Sequence, residues 1–210
     1  MTERIISLLI GYLLGCVITA DIVARRLTGH DASHIGGSGN PGMANMTGRL
    51  GIKAGLITLS GDLLKCVLSG ALSYWLFSDA GRIVLLYAGL GATLGHDFPF
   101  WRGFRGGKGV ATTSMAVALY SFPLGVAANI AGMVSVFASK YLCIGGPVIP
   151  AAFAVFMIIS GQREAALLSA ALTLLSILKH GRDIAGIRRG TAKKTDVLKM
   201  MGEKLKGRKD

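Results

Sequence analysis

The sequence predicts an all-α, polytopic integral membrane protein. Of its 210 residues, 51% are hydrophobic and only 16% are charged, which is more apolar material than one soluble domain needs. No charged residue interrupts residues 109–139 or 141–162. Because a membrane-spanning helix needs about 20 mostly apolar residues, these runs favour a chain that crosses the bilayer several times.

The charge distribution also favours a membrane protein. There are 23 Lys and Arg residues against 11 Asp and Glu residues, giving a net charge of +12. Most of the basic residues lie in a few connecting segments and in the C-terminal tail, as in proteins that follow the positive-inside rule. We therefore expect membrane lipids rather than nucleic acid as partners. Cys16, Cys66 and Cys143 lie far apart and predict neither a disulfide framework nor a metal site.

Seven membrane-spanning helices are predicted. The first ends at Arg25 and Arg26 and has no small-residue cleavage site, so it is expected to be retained. The connection over residues 27–51 is polar and rich in glycine, and its length is typical of functional or disordered loops. The predicted helices cover about residues 5–24, 52–77, 83–94, 110–120, 124–138, 147–160 and 165–179.

Seven spans place the N-terminus outside and the C-terminus in the cytoplasm. Only Arg4, Arg82 and Arg163 then lie outside, while Lys65 lies within a helix. The predicted division is a membrane domain over residues 1–180 and a basic cytoplasmic tail over 181–210. Four apolar residues recur at helical spacing in this tail, which is either a helix on an anionic membrane surface or a solvated segment. They are Val197, Leu198, Met201 and Leu205.

A glycine-rich segment between the third and fourth helices is the first candidate for a ligand site. Gly106, Gly107, Lys108 and Gly109 come just before a predicted helix. Free backbone N–H groups, a helix N-terminus and a lysine together suit a phosphate, although a flexible basic loop would have the same composition. The fourth helix is short, which predicts that this segment lines a cavity at membrane depth.

Two nucleotide-binding motifs are excluded. Gly37, Gly39 and Gly42 match GxGxxG, but no strand precedes them. The segment around Lys108 lacks the first glycine and the Ser or Thr of a Walker A loop, because Arg102 and Gly109 occupy those positions.

Three polar patches are predicted to meet at the cytoplasmic face. Together they offer hydroxyl and amide groups, backbone N–H groups, cations and two imidazoles, which suits a phosphorylated or otherwise anionic ligand with a titratable base nearby. The first patch comprises Ser38, Gly39, Asn40, Pro41, Gly42, Asn45 and Arg49; the second His96, Arg102, Arg105, Gly106, Gly107 and Lys108; the third His180, Arg182 and Asp183.

Asp62 and Lys65 are predicted to share one face of the second helix. Their i, i+3 spacing allows partial neutralisation. They form either a structural ion pair that fixes helix packing or a pair that orients the nearby site. Asp21 in the first helix allows the same two interpretations.

At these residues the sequence resembles the bacterial acyl-phosphate-dependent glycerol-3-phosphate acyltransferases, the PlsY family. Residues 37–45 read GSGNPGMAN, where the family has GSGNxGATN. Residues 95–99 and 104–112 read GHDFP and FRGGKGVAT, where the family has GHxxP and FKGGKGVAT. Residues 180–184 read HGRDI, where the family has HRxNI.

The resemblance implies seven helices in the bacterial inner membrane and an active site facing the cytoplasm. The implied reaction transfers an acyl chain from acyl phosphate to the 1-hydroxyl of glycerol 3-phosphate, giving lysophosphatidic acid and phosphate for phospholipid synthesis. It needs no nucleotide, metal, coenzyme A or other cofactor, and a monomer is expected.

The resemblance also implies roles for individual residues. Ser38, Asn40 and Lys108, with the backbone of Gly106 and Gly107, would hold phosphate groups. His96 would orient or deprotonate the acceptor, and His180 would bind glycerol phosphate. The predicted catalytic residues are His96, Lys108 and Ser38, and the predicted substrate-binding residues are Asn40, Gly42, Asn45, Arg49, Arg105, Gly106, Gly107, Cys143, His180 and Asp183.

Departures from the family pattern concentrate on the acceptor side. Ala44 replaces a threonine, Cys143 a serine and Asp183 an asparagine, and Arg49 lies one place further along than the family's arginine. Asp183 adds a negative charge where a phosphate is expected, which costs binding unless Arg182 or Arg188 pairs with it.

Two alternatives follow from these departures. One is a divergent paralogue that acylates another hydroxylated acceptor. The other is a membrane protein that binds or transports phosphate-bearing lipids without chemistry. A transporter is expected to have polar residues near mid-membrane and often repeated halves, and the polar patches here gather at one face.

Overall fold

A computed structural model describes residues 1–192 and 194 of the chain, and within them the regular structure is helical. This described part of the chain contains eight α-helices, with short 3₁₀ turns at Ser78–Ala80 and Phe100–Arg102. The helices are α1 (Thr2–Gly15), α2 (Thr19–Thr28), α3 (Met43–Leu76), α4 (Ile83–Asp97), α5 (Val110–Tyr120), α6 (Phe122–Ser139), α7 (Leu142–Ile159) and α8 (Arg163–Arg188).

Within residues 1–192, five helical segments are long and apolar enough to cross a membrane, which agrees with the predicted class. They are Thr2–Thr28, Met43–Leu76, Ile83–Arg102, Phe122–Ser139 and Leu142–Ile159. Helix α5 has 11 residues, and at 1.5 Å per residue it is about half as long as a 30 Å hydrocarbon core is thick.

Several predicted helix boundaries were wrong. The first predicted helix is broken between α1 and α2, and α3 starts at Met43 with a kink at Gly51, where φ is 85°. Helix α7 begins at Leu142 rather than at Pro147, so Pro147 and Pro150 lie inside it. Helix α8 continues to Arg188 instead of ending at Lys179. The predicted tail beyond residue 194 lies outside the described residues.

Helix α4 is the centre of the bundle. It packs against α1, α3, α5 and α8, and ten of its 15 residues are buried. Glycines on both helices allow the backbones of α1 and α4 to come into direct contact. A Cβ on Gly95 would lie 2.1 Å from the carbonyl oxygen of Tyr12, and one on Gly11 would lie 2.1 Å from that of Ala88. This close contact fixes the helix that carries His96.

The end of the bundle away from His96 is held by an ion pair between α1 and α8. The Arg4 guanidinium donates to both carboxylate oxygens of Glu164, at 2.5 and 2.8 Å. The Tyr87 hydroxyl of α4 donates to the same carboxylate at 3.0 Å. Polar groups therefore connect three helices where the apolar core ends.

Candidate active site

His96 lies in the last turn of α4, in contact with a buried charged pair from α3. Its Nδ1 is 2.8 Å from Lys65 Nζ and 3.5 Å from Asp62 Oδ1. Lys65 Nζ and Asp62 Oδ1 are 2.9 Å apart, and all three side chains are almost fully buried. The i, i+3 spacing predicted the pair, and its contact with His96 favours the interpretation that the pair orients the site.

Lys65 also stabilises the break between α1 and α2. Carbonyl oxygens freed by a break are costly in lipid unless they find donors. Lys65 Nζ donates to the Val17 carbonyl at 3.0 Å, and the Trp101 indole N–H donates to the Cys16 carbonyl at 2.8 Å. The break, the ion pair and His96 therefore form one connected unit.

The glycine-rich segment packs directly on the end of α4. The Gly106 N–H donates to the Asp97 carbonyl at 3.1 Å, and the Gly107 N–H donates to the His96 carbonyl at 2.9 Å. The prediction that these two N–H groups are free for phosphate was therefore wrong. Their hydrogen bonds instead fix the segment against His96.

Gly107 leaves the space that the His96 ring occupies. A Cβ on Gly107 would lie 2.0 Å from His96 Nε2, and one on Gly106 would lie 2.0 Å from the His96 carbonyl oxygen. Any larger residue at position 107 would displace the imidazole. The two glycines therefore allow the glycine-rich segment to approach His96 closely.

Asp97 is a buried residue of this site that sequence reasoning missed. Its side chain is fully buried, and its carboxylate lies beside Gly109, where a Cβ would be 3.0 and 3.1 Å from the two oxygens. Gly109 has φ of 63° and precedes α5. Lys179 of α8 donates to the Asp97 carbonyl oxygen at 2.8 Å. The sequence signal that could have identified Asp97 is its position directly after the candidate residue His96.

Lys108 forms an ion pair with Asp183 of α8. The pair joins the second predicted patch to the third, and it supplies the cation that Asp183 was predicted to need. That cation is Lys108 rather than Arg182. Both side chains remain partly exposed, at 30% and 41%, so a ligand has access to this pair.

His180 is buried in α8, three residues before Asp183. Its Nδ1 is 2.9 Å from the Ser176 carbonyl oxygen, one helical turn earlier. A Cβ on Gly146 of α7 would lie 3.1 Å from its Nε2. The ring therefore faces α7, the helix that also carries Cys143 near its start.

The first predicted patch comprises the loop before α3 and the first turns of α3 itself. Asn45 Oδ1 accepts hydrogen bonds from the Ser38 N–H at 3.0 Å and from the Ser38 hydroxyl at 3.3 Å. Gly37, with φ of 71°, brings the backbone close to Asn45 and to the Arg49 guanidinium. Asn40 lies beside Gly42, and its N–H donates to the Ser38 hydroxyl at 3.3 Å.

Arg102 connects the α2–α3 loop to the glycine-rich segment. It forms an ion pair with buried Asp21 at 2.9 Å and donates to the Ser33 hydroxyl at 3.2 Å and to the Arg105 carbonyl at 2.8 Å.

Within the same loop, hydrogen bonds from Ser33 and the nearby His34 lower the pKa of Asp31 to about 2. The Arg105 side chain itself is exposed.

The fold and the site define an integral membrane protein with a partly exposed, basic polar site beside a buried histidine. No group of three or more metal-ligating side chains occurs in the part of the chain that the structure describes. A family model for glycerol-3-phosphate acyltransferase matches residues 5–190. The chain belongs to this family.

Individual relatives cover nearly the whole chain. It is 36% identical over 203 residues to glycerol-3-phosphate acyltransferase 1 of Lactobacillus johnsonii, covering 97% of this chain and 98% of that protein. It is 34% identical to the glycerol-3-phosphate acyltransferase of Alkaliphilus metalliredigens, covering 91% and 95% of the two chains.

Two solved structures have the same fold. Both are crystal structures of PlsY, an integral membrane glycerol 3-phosphate acyltransferase. The glycerol 3-phosphate form has a TM-score of 0.80 at 24% identity, covering 94% of this chain and 98% of that one. The lysophosphatidic acid form has a TM-score of 0.78 at 26% identity, covering 91% and 94%.

Proposed function

We propose that this protein transfers an acyl chain from acyl phosphate to the 1-hydroxyl of glycerol 3-phosphate. The observation that carries the proposal is the position of Lys108. It lies in a glycine-rich segment fixed against His96, and its ammonium group reaches α8 beside His180. A cation between two histidine-bearing helices suits two phosphorylated substrates.

The reaction needs positioning more than activation. The hydroxyl oxygen attacks the acyl carbonyl carbon, the bond from that carbon to the phosphate oxygen breaks, and phosphate leaves with the electron pair. The hydroxyl proton passes to a base, for which a substrate phosphate is a candidate. Because the two substrates are anions that repel each other, cations that hold them in attack geometry lower the barrier.

Substrate contacts are assigned by position in the fold. Lys108 and Arg105 are the cations for the donor phosphate, with Ser38 and Asn40 as neutral donors from the α2–α3 loop. His180, Asn45 and Arg49 are assigned to the acceptor. Gly42 of the first patch and Cys143 near the start of α7 are further candidates for substrate contacts. Gly106 and Gly107 act by holding the segment in place, since their N–H groups bond to α4.

The membrane arrangement is part of the proposal. Seven crossings would place the N-terminus outside and the site at the cytoplasmic face of the bacterial inner membrane, with the protein acting as a monomer without a cofactor. The distribution of the 23 basic residues supports this orientation. Helix α8, and α5 together with the glycine-rich segment before it, are then the two crossings beyond the five long apolar segments.

The test is phosphate release by the purified full chain given palmitoyl phosphate, with and without glycerol 3-phosphate. We expect release to depend on glycerol 3-phosphate and lysophosphatidic acid to form in equal amount. Release that ignores glycerol 3-phosphate but depends on another polyol would show a different acceptor. Absence of release with every acceptor would overturn the proposal in favour of binding without chemistry.

Replacing Asp183 with Asn is expected to improve acceptor binding. The substitution removes the negative charge of the Lys108–Asp183 pair, which repels the acceptor phosphate near His180 on the same helix, while the new amide still fits the space. Because the pair is partly exposed, we expect the KM for glycerol 3-phosphate to fall only about two- to fivefold. The matched control is Asp79→Asn in the distant turn after α3. A KM that rises would mean that Asp183 itself binds the acceptor.

A further inference from the structure

Lys65 contacts one of the two ring nitrogens of His96. Its Nζ lies within hydrogen-bond distance of the Val17 carbonyl oxygen, at 3.0 Å, and of His96 Nδ1, at 2.8 Å. It also forms an ion pair with Asp62 Oδ1 at 2.9 Å. An ammonium group has three N–H donors and no acceptor. A group that faces the ammonium at hydrogen-bond distance therefore has to accept, so His96 Nδ1, at 2.8 Å, has to present a lone pair.

We infer that Lys65 holds His96 as the neutral tautomer with hydrogen on Nε2, so that His96 meets substrate as a hydrogen-bond donor and not as a base. The competing arrangement places the hydrogen on Nδ1 and directs it to Asp62 Oδ1, which is 3.5 Å away. That arrangement would oppose two N–H groups across the 2.8 Å gap to Lys65. The role assigned to His96 rests on the proposed acyl transfer, whereas its tautomer does not.

The Nε2–H group is directed to the glycine-rich segment. A Cβ on Gly107 would lie 2.0 Å from Nε2, which places this nitrogen against the residue that precedes Lys108. The Gly107 N–H bond to the His96 carbonyl fixes the segment at that distance. A neutral donor therefore adjoins the candidate phosphate cation, where it can bind a phosphate oxygen or the developing oxyanion of the acyl carbonyl.

Among the residues that the structure describes, the polar side chains in contact with Nδ1 are those of Lys65 and Asp62. Those two groups come from α3, and Lys179 of α8 is the further charged group that acts on the ring. Protonating Nδ1 would require breaking its contact with Lys65. Lys65 is thus a positioning residue, and Asp62 neutralises the buried ammonium that the arrangement needs.

Nitrogen NMR of the unaltered protein tests the tautomer directly. The chain contains four histidines, and uniform ¹⁵N-histidine labelling with His96→Gln as an assignment variant identifies the relevant signals. We expect an unprotonated Nδ1 and a protonated Nε2 for His96 at neutral pH. His180 is the internal control with the opposite tautomer, because its Nδ1 faces the Ser176 carbonyl at 2.9 Å. A protonated Nδ1 on His96 would overturn the inference.

Two substitutions of His96 test the role as donor. The amide nitrogen of His96→Gln lies near the position of Nε2, and that of His96→Asn lies near Nδ1. We expect kcat/KM of the Gln variant to exceed that of the Asn variant by about tenfold or more, with the pH profile of the unaltered protein retained. His96 would instead be identified as a base if kcat/KM fell equally in both variants and its decrease at low pH disappeared.

Lys65→Met tests the role of Lys65 through the tautomer of His96, which would not change if Lys65 were purely structural. With the ammonium removed, we expect the hydrogen of His96 to shift to Nδ1, where Asp62 becomes its partner. An unchanged tautomer would overturn the role of Lys65. Failure of acyl transfer in the unaltered protein would remove the proposed function and leave both NMR results interpretable.

Discussion

Replacing Lys108 with Ala is expected to reduce kcat/KM for acyl transfer by about 10²–10³-fold. Lys108 is the cation of the glycine-rich segment, and its partner Asp183 would remain as an uncompensated carboxylate beside two phosphorylated substrates. The loss corresponds to roughly 3–4 kcal/mol of transition-state stabilisation. The measurement is lysophosphatidic acid formation at several concentrations of palmitoyl phosphate.

Two further variants separate charge removal from charge imbalance. Lys53→Ala removes an exposed lysine of α3 and is the matched control. In Lys108→Ala combined with Asp183→Asn, we expect about tenfold of the loss to be recovered, because the repelling carboxylate is gone. Activity of Lys108→Ala equal to that of Lys53→Ala would remove Lys108 from the site.

The helices were predictable because hydropathy and charge determine them. Long uncharged runs gave α6 and α7, and the glycine and lysine pattern placed a site before α5. The break between α1 and α2 was not predictable, because no proline or charge marks it. It is stabilised by Lys65 and Trp101, which are distant in sequence, and only tertiary contacts bring them to the freed carbonyls.

The sequence predicted which residues belong to the candidate site, but not which residues they contact. Local motifs and the family resemblance identified Lys108, His96 and Asp183, yet the Lys108–Asp183 ion pair depends on how α8 packs. The glycine N–H groups were expected to be free because a glycine-rich segment before a helix often binds phosphate. The end of α4 also has carbonyls that lack helical partners, and these accept the N–H groups first. Close packing of α4 therefore overrides the local motif.

This packing makes Gly107 as important as the charged residues around it. The backbone of Gly107 is bonded to the His96 carbonyl, and its missing Cβ leaves room for the ring that Lys65 holds. Gly107 is not among the glycines with positive φ, so an alanine would strain no backbone dihedral. Its single effect would be a methyl group placed 2.0 Å from His96 Nε2.

Gly107→Ala is therefore expected to reduce kcat/KM by about 10²-fold while the protein still folds. The methyl group has to push the imidazole aside, which breaks the 2.8 Å contact with Lys65 and moves Nε2 away from the substrate. Kinetics and thermal unfolding of the purified protein measure the two effects separately. Gly48→Ala is the control, since a Cβ there meets nothing within 4 Å. If Gly107→Ala keeps full activity, the His96 ring can move without cost, and its fixed position has no role in the reaction.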